Sequence, residues 1–497
     1  LSKNERKSIV IIGSGFAGLS AAAVLARAGN HVKVLEKNEQ VGGRARIWES
    51  GGFKFDMGPS WYWMPDVFDD FFALFGKRSS DFYNLVRLDP SYRVFFEHEV
   101  IDLPAGTENL ENLFETIEKG AAVKLREFLS LARYKYETGM KEYVFKPSTS
   151  IFEFLNPTLL VQGIRLQLLK SMAGHVRDFF SDRRLVSILE FPVLFLGSTP
   201  EHIPALYSMM NFADMSLGTW YPLGGMHGIV KAMVSTCTAE GVEFEVNAEV
   251  TAIEVVNGKA VRAKTGQGDY EADFFISGSD YEHTDQVLLP VGARNYSEKY
   301  WEKRVLSPSA LIYYVGFNRR IDGLTHHNLF FDRDFQLHAE EIYTLPQWPS
   351  DPLFYVCCPS LTDSGVAPAG CENLFFLMPI AAGLEDTEEK REEYFKRMLL
   401  RVETATGEKG LAEAIVLKRS YSVNDFIEDY HSFKGNAYGL ANTLKQTAFL
   451  KPKMHSSQVR NFLYTGQLTV PGPGVPPAII SGRVAASEAA WYLKNNA

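Results

Sequence analysis

At 497 residues the chain is too long for one hydrophobic core and implies two or three domains. Its 51 Lys and Arg are outweighed by 60 Asp and Glu, the net charge is −9 and no long basic block occurs, so nucleic acid is not an expected partner. Aromatic residues make up 13% of the chain, 35 of them Phe, yet no apolar stretch is long and unbroken enough to span a bilayer; a soluble or peripheral protein with aromatic surface to bury or to offer an apolar ligand is expected.

The first elements lie in SIVIIGSGFAGLSAAAVLARAGNHVKVLEKN, Ser8 to Asn38. Basic residues before an apolar run suit a secretion signal or a membrane anchor, but neither needs the glycines. Ile9 to Ile12 is a β-branched run, Gly13, Gly15 and Gly18 follow at G-x-G-x-x-G spacing, and a small-residue helix runs from Phe16 to Ala28 and stops at Gly29. A second strand, His31 to Leu35, closes on Glu36, where a dinucleotide fold places the carboxylate for a ribose 2′-hydroxyl. In that reading Gly13 permits the turn, Gly15 admits a pyrophosphate, Gly18 allows close packing, and the helix N-terminus supplies N–H donors. Glu36 disfavours a 2′-phosphate, and with it NADP.

Gly42, Gly43 and Arg44 sit just past the second strand, where backbone can approach a long cofactor and a guanidinium can pair with its phosphate or flavin edge. Aromatics crowd the following stretch until a helix begins near Pro65. From about Glu108 to Leu185 helical periodicity dominates and predicts an inserted layer. Within it, Val161, Ile164, Leu168, Met172, Val176 and Phe179 or Phe180 share a stripe with basic neighbours, so Leu160 to Arg184 reads as a core helix or as a basic helix that touches a membrane. Segments around Phe191 to Phe195 and Tyr207 to Phe212 are either ordinary core or the wall of an apolar tunnel.

The pattern then returns to α/β, with a Gly pair and helix after Trp220, a hairpin at Asn257-Gly258 and a buried strand in ADFFISGSD. Aromatic strands and one charged helix, Thr387 to Glu403, fill residues 291–455. The chain ends in strand, Gly/Pro loop and helix, and that strand can rejoin the first sheet. The loop from Gly466 through Gly474 opens the last helix, whose N-terminal dipole suits negative charge on a reduced flavin. Three separate contact sites favour FAD over NAD. The expected fold is α/β: a Rossmann-like FAD-binding domain (1–100, 221–290 and 456–497), a helical insertion with part of the substrate domain (101–220), and a mixed-sheet substrate domain (291–455). Cys237, Cys357, Cys358 and Cys371 show no regular spacing and, without a credible export signal, read as reduced thiols of a cytoplasmic protein.

IIGSGFAGL and VLEKNEQVGGRA resemble the two-dinucleotide-binding-domain flavoproteins of the amine-oxidase type. FDMGPSWYWMP, GNAYGLANTLKQTAFLKP and LYTGQLTVPGPGVPPAIISG more narrowly resemble bacterial carotenoid desaturases, the phytoene desaturases in particular, over essentially the whole chain. The resemblance implies FAD-dependent dehydrogenation of an acyclic C40 polyene, phytoene towards lycopene, taken from lipid at the inner-membrane surface, with oxygen or a quinone as electron acceptor. It implies cofactor contacts from Gly13, Gly15, Gly18, Glu36, Gly42, Gly43 and Arg44, with Trp61 near the flavin and Val250 at the adenine end. Gly466, Gln467, Gly474, Val475 and Pro476 would wrap the ribityl chain and isoalloxazine. One departure from the wider superfamily is Gln467, where many members carry Asp.

Removing two hydrogens from adjacent saturated carbons needs a hydride acceptor, flavin N5, and a route for one proton. A dedicated base is not required of the protein. Asp56 and His227 are weak candidates for one, beside Glu201, His202 and Asp214. His326-His327 has no spaced third ligand, and no metal is assigned. Rival readings are a hydroxycarotenoid 3,4-desaturase, a carotene isomerase or an amine oxidase on the same scaffold, and, from another class, a non-catalytic isoprenoid escort protein.

Overall fold

Strand β1 (Ser8–Ile12), helix α1 (Phe16–Arg27) and strand β2 (His31–Leu35) form the right-handed unit that the glycines call for. In this computed structural model residues 6–148, 167, 170–443 and 445–496 are described. Later segments complete the layer: α2 (His227–Ala239), β3 (Glu243–Glu245), β4 (Phe274–Ser277), β5 (Phe462–Tyr464) and α3 (Val475–Asn495). The sheet order is β5-β4-β1-β2-β3, all parallel, with Ile9 opposite both Phe274 and Val32. The terminal strand thus rejoins the first sheet, as expected. Helices cover the sheet because parallel strands need apolar layers on both faces.

The small residues of α1 explain how three helices share this core. Ala21, Ala22 and Ala23 are fully buried, and a Cβ on Gly482 of α3 would stand 2.2 Å from Ala17 O. Gly18 is needed for the same reason, since its Cβ would stand 2.1 Å from Gly13 O. Larger side chains would push helix and sheet apart.

A seven-stranded mixed sheet forms the second layer, in the order 415–421, 309–317, 372–380, 354–357, 327–330, 92–95, 100–103. Ser309–Phe317 is buried along its whole length because both faces are covered. One face carries Ile312, Tyr314, Tyr355 and Leu377; the other packs Tyr313, Phe376 and Met378 on the helix Glu388–Thr406. That helix starts one residue later than expected because Thr387 caps it, its side chain accepting from Lys390 N.

Two expectations need correction. A domain boundary at residue 100 does not follow the sheets: Tyr92–Phe95 and Val100–Leu103 pair with His327–Phe330 and with each other, so this hairpin belongs to the second sheet. The stretch from 160 to 184 is not one helix at its described end. Met172–Arg177 and Arg183–Glu190 are separate, each with its own capping side chain, Ser171 and Asp182; residues 160–166, 168 and 169 lie outside the described residues. Among the described residues the insertion also holds the helix pair Thr107–Ile117 and Ala121–Glu142.

Candidate cofactor and substrate site

A cavity of about 640 Å³ opens between the two layers. Its wall gathers residues 12–17, 35–38, 42–45, 248–250, 278–280 and 465–478 on one side, and residues of the insertion and second sheet on the other. Six stretches of chain therefore converge at the carboxyl edge of this sheet, the edge at which α/β sheets bind ligands.

The lining fits a dinucleotide. Gly15 has an ordinary φ of −68°, yet no atom lies within 4 Å of the place its Cβ would take. Its bare Cα keeps space open against the N-terminus of α1, which has no capping side chain. Gly43 closes the cradle from the far side, its Cβ position 3.2 Å from Gly15 Cα. Glu36 is held at the rim: Oε2 accepts from Ser14 N at 2.9 Å and Oε1 from Asn38 N at 2.9 Å. Its own carbonyl takes Ala248 N at 2.8 Å, which fixes the strand that presents Val250 to the cavity.

Arg44 is the residue best placed to hold an anion. The side chain of half-buried Arg44 lies 5.0 Å over the Tyr430 ring and donates from Nη2 to Ser432 Oγ at 3.1 Å and to Asn436 O at 3.4 Å, while its buried Nε has no partner. Burial lowers its pKa against the pull of Tyr430 and Asp280. A half-buried guanidinium without a bidentate acceptor beside an uncapped helix end suits the phosphates of a dinucleotide. At the far end Gly474 (φ +112°) starts α3 without a capping side chain. Pro476 and Pro477 lack donors, and Ala478 N is taken by Gly474 O, so Val475 N–H is left to a ligand. Gly466 and Gln467 also line the cavity, and Gln467 Nε2 donates to Asn436 Oδ1 at 3.3 Å.

A family profile described as flavin containing amine oxidoreductase matches residues 16–490. The chain belongs to that family. It is 41% identical over 485 residues to the carotenoid 3,4-desaturase of Haloarcula japonica, covering 97% of this chain and 98% of that one. It is 30% identical to the zeta-carotene-forming phytoene desaturase of Myxococcus xanthus, over 97% and 94%. An oxidoreductase structure from Methanosarcina mazei shares the fold, with a TM-score of 0.64 at 18% identity over 97% and 100%. Within the flavin oxidoreductases the chain is thus a member of the carotenoid desaturase group, an enzyme with FAD as cofactor. The escort reading is set aside.

In this flavin oxidoreductase the two weak base candidates are engaged within the fold. Asp56 accepts from Met226 N at 2.7 Å and His227 N at 2.9 Å, so it caps α2, and burial pushes it up to about 6. His227 Nδ1 pairs with Ala45 O at 2.8 Å. Neither lines the cavity. Asp214 is also taken up internally, accepting from Tyr92 OH and Thr219 Oγ1. The argument against a third partner for His326 and His327 does not survive folding either. Strand pairing sets His327 opposite Cys357, and ligand atoms of all three buried residues fall within 4.8 Å of one another. Both histidines are held neutral by burial, with Nδ1 on Thr362 Oγ1 at 2.7 Å and on Tyr355 OH at 2.6 Å.

Trp61 and Tyr207 line the cavity, whereas Phe191 packs against Trp61 in the core. Sequence reasoning missed Ser60, Tyr355, Asn442 and Thr447, which also line the cavity. Tyr355 OH donates to Ser60 Oγ at 3.1 Å, and Tyr207 OH meets Thr447 Oγ1 at 3.1 Å. Ser60, Asn442 and Thr447 fall inside FDMGPSWYWMP and GNAYGLANTLKQTAFLKP, and Tyr355 in no motif, but only the meeting of the two layers shows that their side chains face the cavity.

Proposed function

We propose that the chain dehydrogenates an acyclic C40 polyene, converting phytoene towards lycopene. The observation that supports this is the apolar part of the cavity wall, Met140, Val144, Leu206, Met209, Met210 and Leu377, which shares one cavity with Trp61 and the cofactor cradle; we read it as an apolar arm for the substrate. A polyene has no polar handle, so it is recognised by shape in such an arm. In this reading Gly13, Gly15 and Gly18 shape the pyrophosphate turn, Glu36 accepts from the ribose, and Gly42, Gly43 and Arg44 meet the phosphates. Val250 lies at the adenine end, and Gly466, Gln467, Gly474, Val475 and Pro476 enclose the ribityl and ring end. FAD supplies the hydride acceptor. Trp61 and the apolar arm orient the polyene and keep water out. Asp56 and His227 take no part in proton removal.

The FAD-binding unit on this reading comprises residues 1–91, 221–290 and 456–497, and the 92–103 hairpin goes with the substrate unit. No helix among the described residues is long and apolar enough to cross a membrane. We assign the helical insertion to peripheral contact with the inner-membrane surface, where the substrate is dissolved, and oxygen or a quinone to reoxidation.

A second reading, 3,4-desaturation of a hydroxylated acyclic carotenoid, is favoured by the 41% identity to the Haloarcula japonica enzyme and by the Tyr207–Thr447 hydroxyl pair in the cavity wall. One experiment separates the two. FAD-loaded protein is incubated anaerobically with liposomes carrying either phytoene or a hydroxylated lycopene-type carotenoid and a quinone, and products are read by chromatography and visible absorption. Coloured products from phytoene support the first reading. A shift of the hydroxylated substrate alone replaces it with the second.

A further inference from the structure

We infer that Lys451 is the cationic partner of the flavin ring, acting with the Asn442 amide across Gly472 to balance the charge that appears on reduction. This rests on the FAD reading of the cavity. Lys451 is 3% exposed and its Nζ has no hydrogen-bond partner. Asn442 lines the cavity, and its Oδ1 is likewise buried without a partner. A Cβ on Gly472 would stand 3.3 Å from Lys451 Nζ and 3.3 Å from both Asn442 Oδ1 and Nδ2. Amine and amide therefore converge on one point of the Gly472–Gly474 loop, which itself lines the cavity.

The lysine is held there. Thr469 Oγ1 donates to Pro452 O at 2.8 Å, tying the 452 backbone to the Gly/Pro loop. Gln446 bonds both Val305 N and Val305 O, at 3.0 and 2.8 Å, and anchors the start of the segment.

A second buried lysine shows what a structural one looks like here. Lys135 Nζ donates to Ala205 O at 2.8 Å, to Ser208 Oγ at 3.0 Å and to Gln167 Oε1 at 3.0 Å. Burial lowers both amines to about 7. Lys135 has its acceptors within the protein, whereas Lys451 has none, and a buried amine without an acceptor is costly. Lys451 is not itself a lining residue; it stands behind Gly472, whose loop lines the cavity, so a ligand edge against that loop is the group placed to compensate it.

Hydride transfer brings two electrons and one proton to N5, so the ring system becomes one charge more negative, with that charge on N1 and the C2 carbonyl. The proton from the neighbouring substrate carbon leaves separately. In its protonated form an amine near that edge stabilises the reduced form more than the oxidised one, and the negative ring in turn favours its proton.

Sulfite tests this without turnover, because its sulfur bonds to flavin N5 and places the same negative charge on the ring. FAD-loaded wild type, Lys451→Met, Lys451→Arg and Asn442→Ala are titrated with sulfite, following loss of the flavin band. Lys451→Met is expected to weaken sulfite binding about tenfold or more, one pK unit of interaction, while oxidised FAD binds within about threefold of wild type. Lys451→Arg should retain most of the affinity, and Asn442→Ala should lose less than Lys451→Met. Without FAD, Lys451→Met should melt no lower than wild type, since it removes an unpaired buried amine. Equal sulfite affinity in Lys451→Met and wild type overturns the inference, as does a lower melting temperature of the FAD-free variant, which marks a structural lysine. Wild type that binds no FAD at all overturns the cofactor reading beneath it.

Discussion

Trp61 lies flat on His327, ring centroids 4.0 Å apart and planes within 11°. The indole thus has one face on a rigid neutral imidazole and an edge on the cavity, which makes it a fixed wall rather than a mobile side chain. Trp61→Leu should lower kcat/KM for the polyene by about tenfold through lost positioning, with FAD affinity unchanged within about threefold. Trp61→Phe should recover most of the activity. Parallel steady-state kinetics and FAD titration check both.

Gly15 and Gly18 separate binding from folding. Gly15→Ala adds a methyl to open space at a permitted φ, so the FAD-free protein should keep its melting temperature, yet FAD should bind at least about tenfold more weakly because the methyl fills the cradle. Gly18→Ala drives its methyl into Gly13 O and should cost about 2 kcal/mol or more of stability. Thermal melts with and without FAD distinguish the two outcomes.

Arg44→Met removes the half-buried guanidinium whose buried Nε is unpartnered. The FAD-free variant should melt at or above the wild-type temperature, since an uncompensated half-buried charge is lost. Its FAD affinity should fall by about tenfold or more with the charge-assisted contact to phosphate. A variant that binds FAD as well as wild type would remove Arg44 from the cofactor site.

Asp214 sets a pH dependence of stability. Burial pushes its carboxyl up to about 6, against the hydrogen bonds of Thr219 and Tyr92. The folded protein keeps this proton up to about pH 6, whereas the unfolded chain releases it near about pH 4. More protons are bound by the folded state in that window, so stability falls as pH rises through it and levels off above, by on the order of 2 to 3 kcal/mol for one such group. Asp56 and Asp280 are likewise pushed up to about 6 by burial. Asp214→Asn should therefore remove this group's own contribution to the pH dependence, on the order of 2 to 3 kcal/mol, seen by denaturant melts across pH 4 to 7.

The strand, turn and helix around Gly13 to Gly18, the carboxylate at Glu36 and the return of Phe462–Tyr464 to the first sheet were legible because each rests on local chemistry. Backbone torsion, close approach and β-branched runs leave marks within about 30 residues of chain. Packing also showed through, since Ala21 to Ala23 and Gly18 are small for contacts only a few ångströms away. The limits are visible at Asp56 and His327. Asp56 looked like a base beside a glycine cluster, but only the tertiary fold shows that two amides of α2 consume its carboxylate. His327 looked alone, but its strand partner Cys357 is 30 residues away and adjacent only by sheet register. Ser60 and Asn442 fall inside quoted motifs and Tyr355 in none, yet no spacing says what any of the three side chains faces. Their place at the cavity follows from how two layers meet, and that depends on long-range burial that no short window of sequence encodes. The residues alone determined the nucleotide cradle and its chemistry; tertiary packing decided which distant polar groups face it and which are spent holding the fold.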